Sequence, residues 1–328
     1  MTHHTIFNKE YDINLQKLDL NFNQLHSLPK QICKLINLKA LDLYYNQLSS
    51  LPTKIGDLIN LEELNLSNNK LRTLPSEICN LINLQVLTLQ NNEISILPDK
   101  FHNLINLKEL YLNHNKINIL PVEICNLINL RILKLHNNKI TIVPAVIDNL
   151  INLQILDLSY NEINILPTQI CNLINLQQLF LHHNKISIFP AEITNLLNLR
   201  ELHLHFNKIS EVPVEIDNLI NLRELYLSGN EITTLPAQIG NLINLEKLRL
   251  ISNKINRLPV EILKIKKTLL INESSYEINN LNTEAEILIF SYLTEELQNL
   301  PISLKEIWIK KGTIYNYKLP FNCEIKFF

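Results

Sequence analysis

The chain contains 328 residues, of which 46% are apolar and 19% are charged, and its formal net charge is −2. This balance excludes a global field that would attract nucleic acid or an anionic membrane, and no apolar run is long enough to span a bilayer. With only four glycines, the sequence also disfavours glycine-rich loops that cradle phosphates.

Residues 1–14 precede a regular pattern and lack the long apolar core and small-residue cleavage site of a secretory signal. Ile6, Phe7 and Tyr11 supply apolar surface in this stretch. We predict that 1–14 forms an N-terminal cap, because the first unit of an open stack exposes an apolar face. The absence of a signal favours the cytoplasm.

A 23-residue pattern begins at Leu15 and repeats eleven times without an insertion, to Lys267. Its consensus is L-x-x-L-x-L-x-x-N-x-I-x-x-L-P-x-x-I-x-x-L-I-N, and positions are numbered from Leu15 as position one. The L-x-L alternation turns two leucines to one side of a short strand. A unit this small buries too little surface to fold alone, so neighbouring units are expected to stack.

This consensus resembles the leucine-rich repeat family, and its L-P-x-x-I-x-x-L half is similar to the intracellular class of Ras-pathway scaffolds and plant Ras-group proteins. The resemblance implies an α/β repeat solenoid, or horseshoe. One parallel β-sheet would line the concave face, and short helical or extended segments would form the convex face. Such a fold would serve as a protein-binding module.

Position nine is asparagine in every repeat, where the chain must leave its strand. An amide both donates and accepts hydrogen bonds, so it can satisfy a bent backbone and the next coil together. We predict a structural ladder without a functional role. Its members are Asn23, Asn46, Asn69, Asn92, Asn115, Asn138, Asn161, Asn184, Asn207, Asn230 and Asn253.

Cysteine occupies position nineteen in alternate repeats, at Cys33, Cys79, Cys125 and Cys171. Alternate strands of a stack are about 10 Å apart, which is beyond the reach of a disulfide. We interpret these residues as buried thiols in a reducing intracellular compartment.

Position 22 is isoleucine in nine of the eleven repeats, for example Ile36 and Ile105. We expect these side chains to be covered and to extend the core. The alternative is an exposed apolar stripe that would mark a second interface.

Aromatic and histidine side chains gather at positions five, seven and eight of repeats eight to ten, on the expected concave face. Rings combine apolar area with polar tips and few rotatable bonds, as binding hot spots do. We predict a partner-binding surface there, to which Tyr111 and Lys134 of earlier repeats are added. The clustered residues are Phe180, His182, His183, His203, His205, Phe206 and Tyr226. A stacked ladder that only stiffens the sheet is the alternative.

Two of these histidines, His182 and His205, share position seven on neighbouring strands, so their Cβ atoms should lie about 5 Å apart. They could share a metal ion, but a zinc site needs three or four ligands, and Glu201 or Glu224 would have to move in. We therefore predict no physiological metal and no cofactor.

A second, smaller patch is predicted in the first two repeats, where aromatic rings lie beside two carboxylates. It consists of Asp19, Phe22, Asp42, Tyr44 and Tyr45.

Residues 268–328 depart from the repeat and are predicted to form a C-terminal cap of shorter, degenerate repeats. The motifs EILI (286–289), EIWI (306–309) and EIKF (324–327) recur there and suggest further strands. The stretch LPISLKEIWI is similar to FNIP-type repeats of social amoebae and giant DNA viruses, which would place the protein in a protist or in the cytoplasm of a virus's host. For 282–298 a strand is favoured over a helix.

We predict an adaptor, inhibitor or scaffold that binds a protein or peptide on the concave face. The sequence shows no nucleophile elbow and no zinc-protease motif, so we predict no enzyme activity and no nucleic-acid or membrane partner. The alternative is a structural protein that assembles with itself, as a homodimer joined through the apolar C-terminal edge.

Overall fold

The computed structural model describes residues 3–6, 9–250, 252–255, 259, 261–262, 265, 268–271, 287–290, 306–309 and 323–327. The chain divides into two compact units, Met1–Glu162 and Ile163–Phe328. This division falls within the repeats, and the predicted boundaries at 14 and 267 stay predictions. Among the residues described, no helix has both the length and the apolar character needed to cross a bilayer.

The first unit begins with an antiparallel hairpin of β1 (His3–Ile6) and β2 (Lys9–Asp12), within the stretch 1–14 that was predicted to form an N-terminal cap. Phe7 lies outside the described residues. One short strand per repeat follows, and neighbouring strands pair in parallel with equivalent positions in register. The strands are β3 (Lys17–Asp19), β4 (Ala40–Asp42), β5 (Glu63–Asn65), β6 (Val86–Thr88), β7 (Glu109–Tyr111), β8 (Ile132–Lys134) and β9 (Ile155–Asp157).

The second unit continues the same plan, with each strand parallel to the next. The strands are β10 (Gln178–Phe180), β11 (Glu201–His203), β12 (Glu224–Tyr226), β13 (Lys247–Arg249), β14 (Thr268–Ile271), β15 (Ile287–Phe290), β16 (Glu306–Ile309) and β17 (Glu324–Phe327). The last three confirm the strands predicted from the recurring motifs. Within 282–298 the strand interpretation holds for 287–290, and the remainder lies outside the described residues. The predicted repeat-solenoid fold class is confirmed.

Short 3-10 helices return the chain on the side away from the strands. Most follow the proline of position fifteen, whose fixed φ presets the turn and whose carbonyl accepts the first helical bond, as Pro75 does from Ile78. The helices are Lys30–Lys34, Thr53–Asp57, Ser76–Asn80, Phe101–Asn103, Ile124–Asn126, Ala145–Asn149, Thr168–Asn172, Ala191–Asn195, Val214–Asn218 and Ala237–Asn241.

The core between strands and helices consists of the periodic leucines and isoleucines. At β10, Leu179 and Leu181 are fully buried while Phe180 between them is only half-buried. Strand alternation therefore sends positions three, five and seven to the opposite side from the core. We call this side the outer face of the sheet.

The position-nine asparagines join successive coils by hydrogen bonds. Asn69 donates from Nδ2 to the carbonyl of Leu43 in the preceding coil at 3.0 Å and to that of Leu66 in its own coil at 3.1 Å. Its Oδ1 accepts the N–H of Leu48 at 3.0 Å. Asn69 is buried, so one side chain satisfies three backbone groups that water does not reach.

A second row of asparagines, at position 23, has a role that the sequence analysis did not assign. Asn83 donates from Nδ2 to the carbonyl of Ile59 in the preceding repeat at 2.9 Å, and Asn106 does the same to Ile82 at 2.8 Å. These side chains are exposed, so their bonds compete with water and contribute less than the buried ladder.

The expectation that position 22 would be covered is wrong. The ten residues at this position that the structure describes are between 47% and 75% exposed. Leucines at positions twenty-one and one fill the core on either side, as Leu104 and Leu107 do around Ile105, and the turn between them directs position 22 outward. The exposed row is Ile36, Ile59, Ile82, Ile105, Ile128, Ile151, Ile174, Leu197, Ile220 and Ile243.

The four periodic cysteines are free and buried. Burial raises the pKa of Cys33 and Cys79 to about 11, and that of Cys125 and Cys171 to about 12. The thiols are therefore protonated and unreactive at neutral pH.

Candidate functional site

The outer face of the second unit carries a ladder of rings at position five. In-register pairing of β10 to β13 sets Phe180 beside His203, His203 beside Tyr226, and Tyr226 beside Arg249. The Phe180 and His203 rings meet edge to face with centroids 4.7 Å apart, and His203 and Tyr226 lie 4.2 Å apart. The Arg249 guanidinium lies 4.8 Å from the Tyr226 centroid, within range of a cation–π contact.

Position seven adds a second ring pair. His182 and His205 stack with centroids 4.2 Å apart and planes 9° from parallel. Burial, and then the neighbouring His182 imidazole, lower the pKa of His205 to about 3. His205 is therefore neutral at physiological pH, which allows two imidazoles to stack without charge repulsion.

Position eight carries a third pair, on unusual backbone. His183 and Phe206 stack at 4.4 Å, and both residues have a left-handed backbone, with φ of 53° and 54°. Position eight of the adjacent repeat is Gly229, where a Cβ would lie only 2.6 Å from Phe206 Cδ1. The missing side chain therefore leaves the space that the Phe206 ring occupies.

The structure thus brings together the seven residues predicted as a partner-binding surface, which we call the ring cluster: Phe180, His182, His183, His203, His205, Phe206 and Tyr226. Six are half-buried and Phe206 is 50% exposed. The cluster presents flat apolar rings with polar tips, and side chains of this kind are typical of binding hot spots.

Two carboxylates border the ring cluster at position three, although the sequence analysis gave them no binding role of their own. Glu201 Oε1 accepts a hydrogen bond from Gln178 at 2.8 Å, and Glu201 Oε2 lies 3.9 Å from His203 Nε2. Glu224 accepts bonds of 2.7 Å from both Lys247 and Tyr226. Burial would raise the pKa of Glu224, but these two bonds outweigh burial and lower it.

Tyr111 and Lys134 belong to the first unit, on β7 and β8. Lys134 Nζ lies 5.7 Å from the Tyr111 centroid, and Tyr111 donates to Glu109 at 2.8 Å. Burial, and then this bond, raise the pKa of Tyr111 to about 12.

The second predicted patch also forms in the first unit. The Phe22 ring lies 5.2 Å from Tyr44 and 5.0 Å from Tyr45. Asp19 and Asp42 pair in register, but each binds a backbone N–H two residues along its own chain. The carboxylates thus stabilise the strand ends, while the exposed rings of Phe22 and Tyr45 remain available.

A polar groove of about 760 Å³ runs along the first unit and was not predicted. Its walls come from positions two and 23 of successive repeats. The lining residues are Asn14, Gln16, Asn37, Lys39, Asn60, Glu62, Asn83, Gln85, Asn106 and Lys108. The recurring asparagine of position 23 is the sequence signal that could have indicated it.

Asp157 forms the tightest contact among the charged groups of the outer face in the middle repeats. Its Oδ2 lies 2.8 Å from His136 Nδ1, and its Oδ1 accepts the N–H and the hydroxyl of Ser159. Burial would raise the pKa of Asp157, but the bonds from His136 and Ser159 lower it below its ordinary value.

Replacing Asp157 with asparagine is expected to flatten the loss of stability in acid. The lowered pKa means that below about pH 4 the unfolded chain holds more protons than the folded one. The contribution of Asp157 to the free energy of unfolding is therefore fully present above that pH. It is lost as the pH decreases through the pKa of the folded state, by at most about 1.4 kcal/mol per pH unit. Denaturant unfolding of both proteins from pH 7 to pH 2 measures this slope.

The outer face already accommodates an amide at this position. In repeat three, Asn65 accepts the same two bonds from Ser67. The Asp157→Asn variant should therefore keep the fold, and an unchanged acid slope would contradict the prediction.

Stacked 23-residue coils, each with one strand and one return segment, define a solenoid repeat protein. A family model described as a leucine-rich repeat region matches residues 13–119 and 113–225, and one described as leucine rich repeat matches residues 197–255. The chain belongs to the leucine-rich repeat family. No curated protein matches it.

Solved structures of the same fold include a leucine-rich repeat protein of Leptospira interrogans, 36% identical over 95% of this chain and 83% of that chain, with a TM-score of 0.72. A plant peptide hormone receptor, RGFR1 in complex with RGF2, is 28% identical over 90% of this chain and 56% of its own, with a TM-score of 0.68. A TLR13–ssRNA13 complex is 25% identical over 93% of this chain and 50% of that chain, with a TM-score of 0.69.

Proposed function

We propose that the chain is a protein-interaction module that binds a protein or peptide through the ring cluster on the outer face of its second unit. The observation that carries this proposal is the backbone of Phe206. A left-handed conformation costs a non-glycine residue about 1–2 kcal/mol, and asparagine and glycine tolerate it best. Here it holds a large aromatic ring that stays 50% exposed.

Three other repeats meet the same backbone requirement at lower cost with asparagine, at Asn68, Asn91 and Asn137. Phe22, Tyr45 and Tyr160 are further exposed rings on this backbone, and Phe206 belongs to the ring cluster through its contacts with the imidazoles of His183 and His205. A ring that costs stability and is not buried is better explained by binding than by folding.

The peptide bound by the plant receptor RGFR1 supports a peptide or protein as the ligand class. The TLR13 complex contains RNA, but at the ring cluster the carboxylates of Glu201 and Glu224 balance the cations of Lys247 and Arg249, whereas a phosphate backbone is bound by an excess of positive charge. We therefore favour a protein partner. An adaptor, inhibitor or scaffold role without catalysis fits this chemistry.

An intracellular site of action is part of the same proposal, supported by the free, buried cysteines. The proposal also includes an FNIP-type character of the C-terminal strands and an origin in a protist or a virus.

Replacing Phe206 with asparagine should separate binding from folding. Peptides selected from a random displayed library against the full chain are the probe. We expect the variant to bind them at least about tenfold more weakly, as for loss of a hot-spot ring, while its thermal midpoint stays the same or rises. The matched control is His114→Asn, which replaces a ring by asparagine at position eight of repeat five on the same left-handed backbone and should leave binding unchanged.

Three results would overturn the proposal. Peptide affinity could be the same for Phe206→Asn and for the unaltered chain, the library could yield no binder, or a single-stranded RNA oligonucleotide could bind more tightly than any selected peptide.

Self-association through the C-terminal end is the second candidate function. It is favoured by β17, which pairs with β16 and is the last strand of the sheet in the second unit, because an edge strand can pair with another chain. Light scattering should then give the mass of two chains for the full protein and of one chain for a protein ending at Asn322. A monomer in both cases excludes it.

A further inference from the structure

Three histidines of the ring cluster converge through their ring nitrogens. One ring nitrogen from each of His182, His203 and His205 lies within 4.8 Å of the other two. The sequence analysis anticipated only the pair His182 and His205. The third member comes from β11 itself, two residues before His205.

The repeat geometry explains this convergence. His182 and His205 occupy position seven of adjacent coils, whose strands lie about 4.8 Å apart. His203 and His205 are two residues apart at a strand end, so alternation sends both to the outer face. Their ring centroids are 5.8 Å apart, and those of His182 and His203 are 6.0 Å apart.

The donor set suits a borderline transition metal ion. Neutral imidazole is a good ligand for zinc, nickel, copper and iron, and a poor one for magnesium or calcium, which prefer oxygen. The Nδ1 atom of His205 is buried without a hydrogen-bond partner among the described residues. A metal ion would satisfy this buried nitrogen.

The distances require only small movements. Zinc–nitrogen bonds of about 2.0–2.1 Å in a tetrahedron place the nitrogens about 3.3 Å apart. In the structure the three ring nitrogens lie within 4.8 Å of one another. Rotation about the side-chain bonds of half-buried rings can close this gap. The stacked planes of His182 and His205 would tilt as both nitrogens turned toward the ion.

We propose that His182, His203 and His205 form a binding site for one divalent transition metal ion of the zinc class. Three protein ligands leave a fourth position for water or for a side chain of a partner. The site stands on its own geometry, so a chain that binds no peptide would still bind the ion.

A second group of ligands competes for His203 but is less suitable. Glu201, His203 and Glu224 also have ligand atoms within 4.8 Å of one another. Glu224, however, is held by bonds of 2.7 Å from Lys247 and from Tyr226, and a metal ion would have to displace the Lys247 ammonium.

Calorimetric titration of the metal-free full chain with zinc chloride tests the site. We expect one ion per chain. The variants His182→Gln, His203→Thr and His205→Gln should each weaken binding at least about tenfold, because even outer-shell changes cost 10–100-fold. Glutamine at position seven (Gln90) and threonine at position five (Thr88) occur in other repeats, so these variants should fold, and their thermal midpoints without metal check this.

The matched control removes a histidine that lies outside the three-ligand group. His136 forms another ring pair with His114 on an adjacent coil, with centroids 5.3 Å apart. Zinc affinity should be unchanged in His136→Gln. Substitution with cobalt(II) adds a spectroscopic check. Ligation by nitrogen gives d–d bands alone, whereas a site at the fifth cysteine, Cys323, would add a thiolate charge-transfer band.

Undiminished zinc binding by His203→Thr would overturn the proposal. It would also fail if the full chain bound less than one ion, if His136→Gln lost as much affinity as His203→Thr, or if cobalt(II) showed thiolate ligation. A site that uses Glu224 would reveal itself by loss of binding in Glu224→Gln with retention in His182→Gln.

Discussion

Replacing Asn115 with leucine should lower the free energy of unfolding by at least about 3 kcal/mol, since three buried backbone groups would lose their partner at roughly 1–3 kcal/mol each. Nδ2 of Asn115 donates to the carbonyls of Leu89 at 2.9 Å and Leu112 at 3.0 Å, and its Oδ1 accepts the N–H of Ile94 at 2.9 Å. Leucine has nearly the same size but can neither donate nor accept. Urea unfolding followed by circular dichroism measures the loss.

Asn106→Leu is the matched control, because Asn106 also donates to the preceding coil but is exposed. Water can replace its bond, so we expect a loss of no more than about 1 kcal/mol. An equal loss in the two variants would show that the ladder stabilises the chain through something other than buried hydrogen bonds.

Replacing Phe101 with alanine should cost about 3–5 kcal/mol, the usual range for removing a buried aromatic ring. Phe101 is fully buried and stands at position eighteen, where the other repeats have isoleucine. Truncation to alanine removes the whole ring from this fully buried site and leaves a cavity in the core.

Phe101→Ile tests whether the cost comes from lost volume. The neighbouring Ile78 and Ile124 are fully buried at the same position, so isoleucine fits the repeat, and we expect a loss below about 1.5 kcal/mol. A similar loss in the alanine and isoleucine variants would contradict the cavity explanation.

The sequence predicted those features of the candidate site that follow from the register of neighbouring strands. Because the 23-residue repeat has no insertion between Leu15 and Lys267, residues at equivalent positions had to become neighbours on adjacent strands. That argument located the pair His182 and His205 and the ladder of Phe180, His203 and Tyr226. The orientation of each ring could not be predicted in this way, because it depends on packing against its neighbours.

Several features of the outer face and its turns could not be predicted from the sequence for the same reason. The positive φ at position eight and the third histidine within 4.8 Å depend on how each coil bends after its strand. The isoleucines of position 22 were expected to be covered, since apolar side chains favour burial. The leucines of each repeat already fill its core. No buried space therefore remains for the side chain of position 22 at the turn.

The sequence by itself determined the length of each coil, the stacking of the repeats, the leucine core and the asparagine ladder. These follow from a hydrophobic period and from the need of a buried backbone for hydrogen-bond partners, both of which are local and recur in every repeat. Only the tertiary structure decided which side chains are exposed at the turns and which nitrogens of the ring cluster converge. Those outcomes depend on the bend of the backbone and on contacts between coils, and a change of about 1.5 Å in the spacing of the ring nitrogens separates this arrangement from tetrahedral zinc ligation.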